Sequence, residues 1–295
     1  MKMIVLSVLA AILTVSSPAA AFAAETQLTE MTEAAEMSEA AEPITLKGVQ
    51  FVLFGLSGNN SGDDGRSDTI MICTIDTANR EIKLISILRD TKAAIPGYEP
   101  QKINAAYKYG GAELALATIN QNFHLNLDEY ITVQFDTLED IVDILEGVDL
   151  ELTWEEAQVI NGECEGYVEE GLNTLNGAQA LAYCRIRKID SDKFRAGRQQ
   201  KVIEAIFTKL RKSGIWQWIK VICCLAATTE ISLKLRDLLK VAGLPLTEFT
   251  IRNYIVPDIE YETELQTAID EHGEWVWIYD LDKAGKRIAD IINNP

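Results

Sequence analysis

The chain reads as an α/β layered fold, and three observations predict it. Short β-rich runs alternate with amphipathic helical stretches. The leading runs are apolar nearly throughout, as expected of strands covered on both faces. No internal repeat and no Pro/Gly-rich linker interrupts the sequence after residue 47, so one domain is expected over 47–295. Val49 to Leu56 is the first strand, ending among Gly55 and Gly58. Thr69 to Ile75 and Ile82 to Leu88 follow, with Thr77 to Arg80 as the hairpin loop between them. Ala112 to Phe123 has helical spacing, and His124 behind it reads as a C-terminal cap. Tyr130 to Phe135 reads as a strand, Leu138 to Leu145 as a short helix stopped by Gly147, and Val148 to Leu152 as a strand. Helices are expected at Asn176 to Tyr183, Asp192 to Leu210 and Ser232 to Val241, with Ile215 to Ala227 as a buried helix broken by Gln217 and Lys220.

Two segments precede the domain. Lys2, the apolar run from Met3, and Ala-x-Ala spacing up to Ala24 form a secretory signal at 1–24. Cleavage after Ala23 or Ala24 is one reading; an uncleaved membrane anchor is the other, because residues 3–24 carry no charge. Either way the domain is expected outside the cytoplasm. Residues 25–46 are low in complexity, with six glutamates and no apolar stripe, and read as a disordered acidic spacer.

The 295 residues hold 27 Lys+Arg against 45 Asp+Glu, a net charge of −18. That excess argues against nonspecific binding to nucleic acid or to anionic lipid through the whole surface, and leaves room for a local basic pocket. Two histidines exclude a His-rich metal site, and five cysteines without a Cys-x-x-Cys pair argue against zinc or a disulfide framework. The cysteines are expected as buried small apolar residues, and Trp216, Trp218, Trp275 and Trp277 as core or rim packing.

Three segments carry candidate chemistry. The Gly/Asn/Asp-rich loop from Ser57 returns into a strand through Arg66, Ser67, Asp68 and Thr69. There a carboxylate such as Asp68 suits a hard divalent cation and Arg66 suits phosphate oxygens, although Gly/Asp loops are also common surface turns. Arg89 and Asp90 end an apolar strand, Asp90 steadying Arg89. From Arg185 to Lys201 seven basic residues meet two acidic ones, a net of +5. Arg185 and Arg187 would share a face if extended. Asp192, Arg195 and Gln199 share a helical face that continues into Val202, Ile203, Ile206 and Leu210, which turns the Arg and Gln inward. Several arginines at a helix N-terminus make an anion site, and their number fits a pyrophosphate.

These residues, in this order, resemble the LytR-CpsA-Psr family of cell-wall polymer ligases. The resemblance runs through Gly65-Arg66-Ser67-Asp68-Thr69, Ser86 to Thr91, Ile95 to Tyr98, Lys102 to Tyr107, Tyr109 to Gly111, Gly147 to Asp149, Leu175 to Leu181, and Arg185 to Gln199. It implies a three-layer α/β/α sandwich with a central mixed sheet and an apolar tunnel for a prenyl chain. It also implies an extracytoplasmic phosphotransferase that attaches a glycopolymer (teichoic acid, capsule or similar) from undecaprenyl-pyrophosphate to peptidoglycan, at the outer leaflet of the membrane, with pyrophosphatase as a side activity. By motif match, Arg66, Arg89, Arg185, Arg187, Arg195, Arg198 and Gln199 hold the pyrophosphate. Asp68 binds Mg²⁺ (or Mn²⁺) or steers the acceptor hydroxyl, and Asp90 and Asp192 support the arginines. The chain departs from the family at Ser57, where an acidic metal ligand is usual; Asp63 or Asp64 is the available substitute. The departure leaves a second reading open, a non-catalytic binder of polyprenyl-pyrophosphate or anionic wall polymer.

Overall fold

Five strands form the central sheet: β1 (Val49–Leu56), β2 (Ser67–Asp76), β3 (Glu81–Ile87), β6 (Tyr130–Gln134) and β9 (Thr250–Val256). Their order across the sheet is β6-β1-β2-β3-β9. The sheet is mixed: β2 runs antiparallel to both β1 and β3, whereas β6 pairs with β1, and β9 with β3, in parallel. The computed structural model describes residues 46, 48–56, 65–186, 189, 192–228, 232, 248–258 and 265–294. The expected leader, nearly all of the acidic spacer, most of the expected helix at 232–241, and Ser57, Asp63, Asp64 and Arg187 lie outside them. Residues 43–295 cluster as one compact unit.

Strand alternation sorts the side chains onto two faces. Val52, Phe54, Ile70, Ile72, Ile85 and Ile87 pack beneath α1 (Ala105–Phe123) and α7 (Leu281–Asn293). Phe51, Leu53, Met71, Cys73, Leu84 and Ile131 face the other way, toward Ile203, Phe207, Trp218 and Leu225 of α5 (Asp192–Lys212) and α6 (Ile215–Thr228). The result is the expected three-layer α/β/α sandwich. A further apolar cluster beside it joins α2 (Phe135–Ile144), α3 (Trp154–Glu163), α4 (Gly177–Arg185) and the hairpin of β7 (Val148–Leu152) with β8 (Gly171–Leu175). Two small ladders complete the structure: β4 (Lys92–Ala93) with β5 (Gln101–Lys102), and β10 (Gln266–Ile269) with β11 (Trp275–Ile278).

Local chemistry sets the element boundaries. Capping boxes start α3 and α4: Thr153 pairs with Glu156, and Asn176 with Gln179. At the β2–β3 turn the Asp76 carboxylate accepts the Ala78 and Asn79 N–H groups at 2.9 and 3.0 Å. Burial raises its pKa, and the hydrogen bonds from Asn79 and Ala78, with the charge of Lys83, together outweigh that and hold it below the usual value. His124 takes a left-handed conformation and ends α1, as expected of a cap. Lys83 sits fully buried in the sheet, donating to the Ile291 carbonyl at 2.8 Å at the end of α7 and lying 3.3 Å from Glu81. It ties the last helix to the middle of the fold.

Several expectations need correcting. Helix α1 begins at Ala105, seven residues before the expected Ala112; Gly110 and Gly111 are non-helical and interrupt it, which hid its first turn. Phe135 opens a helix instead of closing a strand. Helix α6 is not wholly buried: Trp218 and Val221 face the core, but Trp216 is 72% and Ile219 40% exposed. Trp216 is therefore neither core nor rim. Only Cys73 and Cys184 of the five free cysteines are buried, and Cys223 is exposed. The sequence reading left α3, α7, β8, β9 and the β4–β5 and β10–β11 ladders unassigned. No described helix is long and apolar enough to cross a membrane.

Gly285 marks the closest approach of α7 to α1. A Cβ there would lie 2.1 Å from the Phe123 carbonyl oxygen, against backbone that cannot swing aside. Gly285→Ala should therefore force the helices apart and lower stability by about 1–3 kcal/mol, read as a shifted denaturation midpoint at unchanged slope.

Candidate functional site

The ends of β2, β3 and α5 meet in a narrow recess lined by Asp68, Thr69, Ser86, Leu88, Arg89, Arg195, Ala196 and Gln199. Asp68 is the second residue of β2, and Arg89 lies two residues past β3. Arg195 and Gln199 are one turn apart on α5. Both point inward, at 3% and 8% exposure, as their helical face requires. Arg89 Nη1 donates to Asp68 Oδ1, and Arg195 Nη1 approaches the same oxygen at 3.9 Å. Charged side chains are rarely buried to this degree unless they are paired or used.

Outer ion pairs hold these groups in place. Asp90 lies 3.5 Å from Arg89 Nε and 2.7 Å from Lys102 Nζ, so it does brace Arg89. Arg66 donates to Glu274 at 2.7 Å, and Lys102 reaches the same carboxylate at 3.5 Å. The Arg66 hydrogen bond holds the Glu274 carboxyl below the usual range, against partial burial. The stabilisation this implies is present above the ordinary value of 4.5 and is lost as pH falls through the lowered folded value. Glu274→Gln should thus be less stable than the parent at neutral pH, with denaturation midpoints that converge on acidification.

The remaining expected residues fall into different places. Arg198 is buried but does not line the recess: it donates to the Ile186 carbonyl at 2.9 Å and lies 3.4 Å from Glu156, joining α5 to α4 and α3. Arg185 is exposed at the last residue of α4, so it is helical and not in the extended segment that the spacing with Arg187 assumed. Its guanidinium lies over the Phe135 ring at 4.2 Å. The Asp192 side chain, like Arg187, lies outside the described structure. The sequence reading did not single out Glu274, Lys102, Glu156 or Phe135 as site residues. All four meet partners far away in the chain, and no local pattern marks them.

Thr69 and Gln199 belong to two cavities at once. On their other side lies a mainly apolar space of about 40 Å³, lined also by Leu53, Gln134, Phe135, Leu138, Cys184 and Ile203. Leu53, Val133, Leu138 and Ile203 are shared in turn with a larger cavity of about 130 Å³ between the sheet and helices α2, α5 and α6. Val49, Phe51, Phe207, Trp218, Val221 and Leu225 extend its walls, and every lining side chain is apolar. Gly55 lets the strands approach at the junction, since a Cβ there would lie 2.8 Å from the Thr69 side chain. Burial pushes the Cys73 and Cys184 thiols up to about 12, so both line the passage as neutral groups.

The arrangement suits an amphiphile with an anionic head and a long apolar tail. Cationic forks meet the head, and the tail finds walls with no polar group to desolvate. Among the described residues no group of three His, Cys, Asp or Glu side chains could hold a metal ion alone. Asp68 offers one carboxylate, which fits Mg²⁺ where substrate phosphates complete the shell.

Comparison with known proteins places the chain. It is 33% identical over 160 residues to the polyisoprenyl-teichoic acid–peptidoglycan teichoic acid transferase TagV of Bacillus subtilis (strain 168), covering 52% of this chain and 41% of that protein. It is 32% identical over 179 residues to TagT of the same strain, which carries the same transferase name, covering 59% and 56%. The matched stretch thus spans about half the length of these curated relatives. The solved structure of TagT bound to LIIa-WTA superposes with a TM-score of 0.68 at 23% identity, over 82% of this chain and 88% of that one. The model of the LytR_cpsA_psr family matches residues 11–285, and the chain belongs to that family.

Proposed function

We propose that the protein attaches a glycopolymer to peptidoglycan outside the cytoplasm, taking it from an undecaprenyl-pyrophosphate carrier. The observation that carries this reading is the junction at Thr69 and Gln199, which line both a recess holding Arg89 and Arg195 and a mainly apolar space that shares Leu53, Val133, Leu138 and Ile203 with the large apolar cavity. The transferase names of TagV and TagT support the same reaction class.

In this reading the pyrophosphate lies in the recess and the prenyl chain follows the passage. A sugar hydroxyl of peptidoglycan attacks the phosphorus that carries the glycopolymer. The bond to the bridging oxygen breaks, and undecaprenyl phosphate leaves. Arg89, Arg195 and Gln199 contact the phosphates, Arg66 and Arg185 act from outside the recess, and Arg187 is assigned to the pyrophosphate by motif match alone. Arg198 acts through the position of α5. Asp68 accepts the hydroxyl proton once the head group draws Arg89 away from it. Where Asp68 instead holds Mg²⁺ or Mn²⁺ together with phosphate oxygens, the ion would neutralise charge on the pyrophosphate and Asp68 would not serve as the base. Water in place of the sugar hydroxyl gives the pyrophosphatase side reaction.

The test uses the full chain, a labelled lipid-pyrophosphate oligosaccharide, peptidoglycan fragments and Mg²⁺. Label transferred to peptidoglycan supports the reading. Tight donor binding with no transfer overturns it in favour of the non-catalytic binder, the reading that Ser57 favours. Label released only as free phosphorylated sugar leaves hydrolysis as the activity.

A further inference from the structure

Helix α6 is apolar on two faces, and one of them has no place in the core. Trp218, Val221, Ile222 and Leu225, spaced three and four apart, line the large cavity. Trp216, Ile219, Lys220 and Cys223, spaced the same way, are all exposed, Trp216 the most. A soluble helix normally turns its polar side outward. Here the outward side carries a tryptophan and an isoleucine beside a lysine, with exposed Lys212 just before the helix.

The charge of the segment is the second, independent observation. From Ala205 to Thr229 the sequence holds no Asp or Glu and four cations: Lys209, Arg211, Lys212 and Lys220. This acid-free stretch stands in a chain of −18. Exposed apolar side chains flanked by lysines are the pattern of a helix lying in the interface of an anionic bilayer, with tryptophan at headgroup depth.

We propose that the Trp216–Ile219–Lys220–Cys223 face of α6 seats on an anionic lipid surface, so that one helix both contacts the bilayer and walls the apolar passage. A lipid chain then moves between bilayer and cavity along α6 without crossing bulk water. The proposal rests on the amphiphile reading above for the purpose of docking, and on the helix itself for the docking.

Because residues 3–24 are themselves apolar, vesicle binding by the full chain would not isolate α6. The position of Trp216 does. The full chain is mixed with phosphatidylcholine vesicles, with and without phosphatidylglycerol, whose acyl chains are brominated to quench nearby tryptophan. Tryptophan fluorescence should be quenched on the anionic vesicles. Trp216→Phe should remove most of that quenching, and the Lys212→Glu, Lys220→Glu double variant should weaken it while the melting temperature holds. Absence of quenching overturns the proposal. So does quenching that survives Trp216→Phe but disappears in Trp218→Phe, because that reports lipid inside the cavity only. Transfer assayed in parallel with detergent-dispersed donor separates the two readings. Transfer without docking sinks this proposal alone, and docking without transfer sinks the enzymatic reading alone.

Discussion

Arg195→Ala should lower transfer by about 10²–10³-fold, the usual cost of removing one preorganised donor to a developing charge. Arg195 is 3% exposed and reaches the recess from α5, where the apolar residues behind it lock the helix against the sheet. Its charge therefore needs little reorganisation when the pyrophosphate enters. Arg195→Lys should recover only part of the loss, because an ammonium cannot reproduce the planar fork. Arg198→Ala makes the informative contrast. Its guanidinium braces Ile186 and Glu156, so that variant should show mainly a lowered melting temperature. Steady-state kinetics and thermal unfolding on the three proteins distinguish the roles. Equal activity losses for Arg195→Ala and Arg198→Ala at unchanged stability would contradict the assignment.

Ile203→Trp should weaken long-chain donors by about 10²-fold while sparing short ones. Ile203 lines both the intermediate and the large apolar cavity, so a bulkier side chain there narrows the passage. At roughly 0.8 kcal/mol per buried methylene, displacing one five-carbon isoprene unit costs about 3–4 kcal/mol, part of which a flexible chain recovers by rerouting. The loss should appear in KM for the long donor, with kcat for a short-chain donor unchanged. A loss shared by both donors would mean that the substitution disturbs the recess and not the tail path.

Four of the five sheet strands are legible in the sequence, β1 to β3 because they are buried nearly throughout, whereas the edge strand β9, half exposed and carrying Arg252 and Asn253, shows no such run. Val49 to Leu56 is apolar enough to mark β1 to the residue, and the Asp76–Arg80 turn separates β2 from β3. The inward turn of Arg195 and Gln199 is equally legible, since a buried helical stripe fixes the face on which they stand. Arg198 and Gln200 show where that argument stops. Both are buried off the expected stripe, because α5 is enclosed by the sheet on one side and by α3 and α4 on another. Gln200 there bridges β3 and β9, donating to Ser86 Oγ at 2.9 Å and to the Tyr254 carbonyl at 2.6 Å. Periodicity reports one apolar face, whereas polar burial against several neighbours depends on tertiary partners. The same reason hid Glu274, whose pairing with Arg66 spans 208 residues. Phe135 was misread because an aromatic residue after a β-rich run continues the strand pattern, although the chain turns helical there.

In the proposed function a charged recess and an apolar passage bind one amphiphilic ligand together. The most direct measurement is the affinity of the full chain for a series of prenyl pyrophosphates of increasing length, with inorganic pyrophosphate as the zero-length member. Affinity should rise at least about tenfold with each of the first isoprene units and level off once the passage is filled. Arg195→Ala should lower every member of the series by a similar factor. An affinity that does not depend on chain length, or a series insensitive to Arg195→Ala, would contradict the account.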